Sequence, residues 1–346
     1  MRLRTVLATL TAGLAAATCL SAAGPAHARP TGPHATATPH ACSPAVSLDR
    51  FSDALDKTTH QGTFVGNLSA LAVDGDGSPA ALSDRSALLG LDAGTLAPTS
   101  AVPLADESGA ALDAEGLVVD RDGTRLVTSE TEPSVRRYGR SGALLDRLPV
   151  PDSLRVAPAG RAVPNGTFEG LTLLPGGRTL LASMEYALAG DSAGIVRLQT
   201  WERRHGRFRL AAQYAYRADA GLGVPEVQAI PDGRLLVLER GFTAGVGNTV
   251  RLYLADPRRA TDTGGVENLT GQDGVRLVRK TLLADLVNCP SLGATAKQPQ
   301  PNPLLDNIEG MAVTGRDRGG LKVLLVSDDN QNAAQTTRLY FLRVRV

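Results

Sequence analysis

Glu115-Gly116-Leu117-Val118-Val119-Asp120-Arg121-Asp122-Gly123-Thr124-Arg125-Leu126-Val127-Thr128-Ser129-Glu130 reads as a strand, a tight turn and a returning strand. An Asp-Gly pair between two apolar runs signals a hairpin, because glycine supplies the positive φ that such turns need. Moving outward, Ser134 to Tyr138 is a third strand, Arg140-Ser141-Gly142 a turn, and Leu144 to Val150 a fourth. Four short antiparallel strands in sequence form one propeller blade.

The same unit recurs. Asn67-Leu68-Ser69-Ala70-Leu71 leads to Ser83-Asp84-Arg85, and Glu169-Gly170-Leu171 leads to Met184-Glu185. Glu226-Val227-Gln228 leads to Leu238-Glu239-Arg240, and Glu309-Gly310-Met311 leads to Ser327-Asp328-Asp329-Asn330. The spacings between copies, from Ser69 and then from each opening Glu, are 46, 54, 57 and 83 residues. Repeats of strand-turn-strand units at this period predict an all-β chain: a single β-propeller of four-stranded antiparallel blades. Further strands are expected at 194–201 and 208–216 in the third copy, and at 250–256 and 275–287 in the fourth. Two segments rich in Gly, Pro, Asn and Gln, 257–273 and 288–306, account for the longest spacing; a degenerate sixth blade there is the alternative. The fifth copy ends with a third strand at 338–346. Its fourth is expected from the N-terminal segment around Val46 to Leu55, which would remove a free sheet edge. Five blades are therefore expected, with six as the alternative.

The chain has 346 residues and a formal net charge of +1. Residues 1–28 read as a secretory signal peptide: Arg2 and Arg4, an apolar stretch from Val6 to Leu20, and Ala26-His27-Ala28 as a cleavage site. The apolar stretch is too short for a membrane span. Residues 29–42 are expected to be a flexible leader, and 43–346 the propeller. Without Arg2 and Arg4 the charges nearly cancel, so neither nucleic acid nor an anionic membrane is indicated as a partner. Cys42 and Cys289 are expected to form a disulfide in an exported protein. The expectations for the mature chain are a secreted monomer and a small-molecule substrate.

In a hairpin, the start of the first strand lies beside the end of the second. The acids that open and close each repeat should therefore gather at one mouth of the channel. The candidates are Asp84, Glu115, Glu130, Glu169, Glu185, Glu226, Glu239, Glu309, Asp328 and Asp329. Many carboxylates in one concave site must separate, take up protons or bind cations. An all-oxygen donor set favours Ca²⁺, with Mg²⁺ or Mn²⁺ as alternatives, over Zn²⁺. The competing reading of each opening Glu is structural: it bonds backbone N–H groups and locks neighbouring blades. Arg85 and Arg240 each follow an acid and are candidates for contacting an anionic substrate; an ion pair with that acid is the alternative. Glu169 and Glu226 are the candidate general bases. No nucleophile elbow, P-loop or dinucleotide fingerprint is present. No histidine is placed by motif to activate Ser129 or Ser327.

The ordered set Ser-Asp-Arg, Glu-Gly-Leu with Ser-Glu, a second Glu-Gly-Leu with Met-Glu, Leu-Glu-Arg-Gly-Phe, and Glu-Gly-Met with Ser-Asp-Asp-Asn resembles the phytase-like propeller family, described as esterase-like. The resemblance runs from about Val65 to the C-terminus. It implies phosphoester or ester hydrolysis, with the acidic motifs holding Ca²⁺ and with Arg85 and Arg240 contacting phosphate. This chain lacks the Lys-rich cluster that a polyphosphorylated inositol would need, and its first repeat has Ser69 where the others open with Glu. The expected function is metal-dependent ester hydrolysis of phosphomonoesterase type, with Glu169, Glu226 and Arg240 as catalytic candidates. The alternatives are a non-catalytic binding propeller with structural Ca²⁺, and a lactonase-type propeller.

Overall fold

Gly123, at φ +80°, closes the turn after Val119, and the Asp120 and Thr124 backbones bond across it at 2.8 Å. The strands that flank it, Ala114–Val119 and Arg125–Ser129, continue through Ser134–Tyr138 to Leu144–Arg147 as one antiparallel sheet. In the computed structural model, which describes residues 40–272 and 274–346, this unit is the second of five blades.

The first blade is Leu68–Val73, Pro79–Ser83, Ala87–Leu91 and Pro98–Pro103. The third is Phe168–Leu173, Thr179–Met184, Ile195–Arg204 and Arg207–Arg217. The fourth is Gly223–Ala229, Leu235–Thr243, Gly247–Asp256 and Arg279–Asp285. The fifth runs Asn307–Asp317, Gly320–Asp328 and Leu339–Val344, and its outermost strand is the N-terminal Val46–Ser52, paired antiparallel with Leu339–Val344. Each blade packs its first strand against that of the next, and Asn307–Asp317 packs against Leu68–Val73, so the five innermost strands form a closed ring.

The core lies between blades. Trp201 and Phe168 of the third blade meet Leu126 and Val135 of the second, and the two aromatic ring centroids are 5.9 Å apart. Leu68 and Leu71 of the first blade meet Leu324 and Val326 of the fifth. The innermost strands are buried on both faces over most of their length, which explains their nearly continuous apolar runs.

No sixth blade occupies the long spacing. Among the described residues, none from 257 to 278 forms a strand. Instead Thr263 N donates to Gln213 O at 2.7 Å and Val278 N to Ala215 O at 2.8 Å. The segment therefore lies along the outer strand of the third blade and covers its edge.

Cys42 and Cys289 are disulfide-bonded across 247 residues and are buried among side chains of the fourth and fifth blades. The expected signal peptide and the leader up to residue 39 lie outside the described residues. The end of the expected leader, residues 40–42, belongs to the folded unit. His40 Nδ1 is 2.8 Å from Leu48 O, Ala41 bridges to Ser47, and Cys42 carries the disulfide.

Candidate functional site

Every innermost strand breaks its pairing at the same place. The register shifts fall between Leu68 and Ala70, Ala114 and Leu117, Phe168 and Leu171, Gly223 and Glu226, and Ile308 and Gly310. A bulge re-aims the side chain it releases, and here the released residues include Ser69, Glu115, Glu169 and Glu309. The glycine that follows Glu in three repeats has a steric role. A Cβ on Gly116 would meet Glu169 O of the next blade at 2.4 Å, and one on Gly170 would meet Val227 N at 2.5 Å. Gly116 N donates to Thr128 Oγ1, which in turn donates to Glu169 O at 2.7 Å, fastening the second bulge to the third.

Register also assigns equivalent positions. Ser69, Glu115, Glu169 and Glu309 occupy one position, and Asp84, Glu130, Glu185 and Asp328 occupy the closing one. In the fourth blade Gly223 pairs with Arg240 and Glu226 with Leu238. The counterpart of Glu169 is therefore Val224, and the counterpart of Glu185 is Gly241. The fourth blade adds no acid to either position and instead contributes Arg240, at the level of Met184 in the third.

Eight carboxylates, from Asp84, Asp113, Glu115, Glu130, Glu169, Glu185, Glu309 and Asp328, line one cavity of about 350 Å³ together with Ser69, Arg85, Asn165, Arg240 and Asn330. Asp113, Glu115 and Glu130 each offer an oxygen within 4.8 Å of the others, and so do Glu130, Glu169 and Glu185. Glu130 belongs to both groups. Arg240 Nη2 lies 2.9 Å from Glu309 Oε1 and 3.2 Å from Glu185 Oε1. Asn307 Nδ2 donates to Glu309 Oε1 at 2.9 Å, and Asn67 Nδ2 to Asp84 Oδ2 at 3.2 Å. The Arg85 side chain is 65% exposed, with Nε 3.5 Å from Asp84 Oδ1.

Crowding of this kind raises proton affinity. Burial pushes Glu115 and Glu169 well above the usual carboxylate range, and neighbouring acids push them further. Burial, then Glu185 and Asp113, pushes Glu130 up to about 7. Burial does the same to Glu309, which reaches about 7 although Arg240 pulls it down. Glu185, Asp84 and Asp328 are raised by burial too. Burial would depress Arg240, but Glu309 and Glu185 hold it charged.

Three acids expected at the mouth stand elsewhere. Glu226 takes a place equivalent to Leu171, two residues out of step with the other opening acids, and accepts from Val227 N at 2.9 Å and Leu171 N at 3.3 Å. Its environment matches the structural reading of the opening Glu, a lock between blades. Glu239 accepts from Tyr216 Oη at 2.6 Å, Asp219 N at 2.7 Å and Lys280 Nζ at 2.5 Å, away from the cavity. Asp329 accepts from Asn67 N at 3.0 Å and pairs with Lys57, tying the first blade to the fifth. Asp113 was missed by sequence reasoning. It stands just before the strand Ala114–Val119, outside the opening and closing positions of the repeat that mark the other acids.

The donors suit a hard cation. All are oxygens, and among the described residues Ser69 Oγ and Asp84 Oδ1, which line the cavity, are buried without a hydrogen-bond partner. Buried oxygens of this kind fit Ca²⁺, Mg²⁺ or Mn²⁺.

Residues 63–331 match the family described as phytase-like, esterase-like activity of phytase. No protein with a curated description matches the sequence. Among solved structures, the chain is similar to a gluconolactonase from Xanthomonas campestris, with 15% identity and a TM-score of 0.42 over 82% of this chain and 73% of that one. It is also similar to the PQQ-bound aldose sugar dehydrogenase from Streptomyces coelicolor, with 13% identity and a TM-score of 0.42 over 88% and 99% of the two chains.

Proposed function

This chain belongs to the phytase-like family, and on that premise we propose that it is an exported, divalent-cation-dependent hydrolase of small phosphomonoesters or related esters. The observation that carries the proposal is the pair of carboxylate triads sharing Glu130, beside Arg240 in one open cavity. Eight acids against two arginines would repel an anionic substrate, so a phosphoester needs added positive charge there.

Asp113, Glu115, Glu130 and Glu185 would hold it, with Glu169 beside them. A divalent cation bound there would supply charge against the substrate oxygens and would lower the pKa of a bound water. Arg240, kept in place by Glu185 and Glu309, presents its guanidinium to an oxygen of the phosphoryl or acyl group. Arg85, at the rim and largely exposed, attracts and orients the anion. Glu169 lines the cavity and is assigned as the carboxylate that holds the proton given up by the attacking water. Glu226, enclosed by backbone donors, has no catalytic role. The chain acts as a monomer outside the cell, after loss of residues 1–28. Among the described residues no helix is long and apolar enough to cross a membrane.

The test is hydrolysis of p-nitrophenyl phosphate, p-nitrophenyl acetate and a simple lactone by purified protein, with Ca²⁺ and with EDTA, beside Glu169→Gln. Phosphate release that needs the cation and is lost in Glu169→Gln supports the proposal. Turnover of the acetate or lactone alone reassigns the chemistry to carboxylic esters. No turnover of any substrate, with Ca²⁺ raising only the melting temperature, identifies a binding propeller instead.

A further inference from the structure

Beside the carboxylate cavity lies a second chamber of about 360 Å³, and Arg240, Glu309 and Asn330 line both. The first is walled by acids; the second is walled largely by neutral amides, among them Asn248, Gln298, Asn332 and Gln335, together with Phe242. These residues come from three separate parts of the chain. They lie on the hairpin of the fourth blade, in the Asn- and Gln-containing insertion 288–306, and in the connection after Asp328.

The chamber has built walls. Phe242 and Asn248 are partners across the hairpin, so their side chains leave the sheet on the same face. Gly247, at φ +111°, leaves room for the insertion; a Cβ there would strike Pro299 O at 2.6 Å. Asn248 N donates to Gln300 Oε1 at 2.8 Å, fixing the insertion against the hairpin.

Two side chains in this chamber are unexplained by folding. Asn248 is 1% exposed, yet among the described residues neither its amide oxygen nor its amide nitrogen has a hydrogen-bond partner. A buried primary amide left this way calls for a ligand that both donates and accepts. Phe242 is 56% exposed, an aromatic ring largely open to solvent. Among the described residues lining the chamber, Arg240 is the one cation, and it is already paired with Glu185 and Glu309. A polyanion would find little countercharge here. Hydroxyl groups, which donate and accept, match the amides, and the C–H face of a ring matches the aromatic.

We infer that this chamber binds a neutral sugar ring, the alcohol part of the ester, with the ester bond placed at Arg240. The ester assignment rests on the hydrolase proposed above; the sugar subsite does not. Hydrolysis of a sugar phosphate would join water oxygen to phosphorus, break the bond from phosphorus to the sugar oxygen, and give that oxygen a proton. The products are free sugar and inorganic phosphate.

The experiment titrates methyl glucoside and maltose, by saturation-transfer NMR with Ca²⁺ present, into the wild-type chain, Asn248→Leu and Phe242→Ala. Saturable binding of at least one sugar is expected, weakened about tenfold in each variant through loss of hydrogen bonds or of the aromatic platform. In the same variants the ratio of kcat/KM for glucose 6-phosphate to that for p-nitrophenyl phosphate falls by a similar factor. Phe242 is exposed, so its replacement reads out even if Asn248→Leu fails to fold. Absence of saturable binding, or binding unchanged in Phe242→Ala, overturns the inference. Sugar binding that depends on Phe242 in a protein with no turnover upholds the subsite while removing the hydrolase reading.

Discussion

Among the described residues lining the cavity, Arg240 is the one cation set deep in the ring of acids, with Glu309 at 2.9 Å and Glu185 at 3.2 Å. A buried guanidinium paired in this way offsets charge that would otherwise be expelled or protonated. Arg240→Met, which installs the side chain found at the equivalent position of the third blade, should reduce kcat/KM for p-nitrophenyl phosphate by about 100-fold, as expected for a desolvated charge contact to an anion; steady-state kinetics read this directly. Glu169 and Glu226 open similar motifs but differ in surroundings. Glu169→Gln should lower kcat by about 100-fold or more. Glu226→Gln keeps an oxygen for the Leu171 and Val227 amides and should leave kcat within about twofold. Equal losses in the two variants would contradict the assignment of roles.

At the scale of the element, the bulged innermost strand is the unit that makes the site. In three blades its glycine admits the neighbouring blade, and its acid turns into the cavity. Gly116→Ala would place a Cβ 2.4 Å from Glu169 O, a backbone atom with little freedom to retreat. The variant should lose about 1–3 kcal/mol of stability, measured by urea denaturation, with weakened cation binding in parallel. The hairpins were legible because Asp-Gly and Pro-Gly turns punctuate apolar runs, and Glu-Gly marked the bulge in three blades. The fourth blade misled because Pro225-Glu226-Val227 imitates the opening acid while the bulge lies at Val224 and Pro225, two residues earlier. Pairing register, which a single sequence does not display, decides which residue faces the cavity. For the same reason Glu239 and Asp329 carry acidic motifs yet serve Lys280 and Lys57. The amide chamber was hidden because its walls come from the fourth-blade hairpin, the 288–306 insertion and the connection after Asp328, which meet only in three dimensions.

At the scale of the whole molecule, the ring gathers carboxylates from four blades, and the disulfide joins the start of the fold to the insertion between its last two blades. Replacing Cys42 and Cys289 by Ser should cost about 2–5 kcal/mol in chemical denaturation. The acids make stability depend on pH. Glu130 and Glu309 bind protons more tightly in the folded chain, near 7, than the 4.5 of a free glutamate. Their favourable contribution is therefore complete below the free value and is lost as pH rises through about 7. The melting temperature of the cation-free protein should fall between about pH 5 and about pH 8, and stabilisation by Ca²⁺ should grow over the same range, since the cation and protons compete for the same oxygens. The most direct test of the account is a calorimetric titration of Ca²⁺ into the cation-free protein, into Glu130→Gln and into Glu239→Gln. Saturable binding by the wild-type chain and by Glu239→Gln, weakened about tenfold or more in Glu130→Gln, is the predicted result. No binding at all, or equal affinity in Glu130→Gln and the wild-type chain, would contradict it.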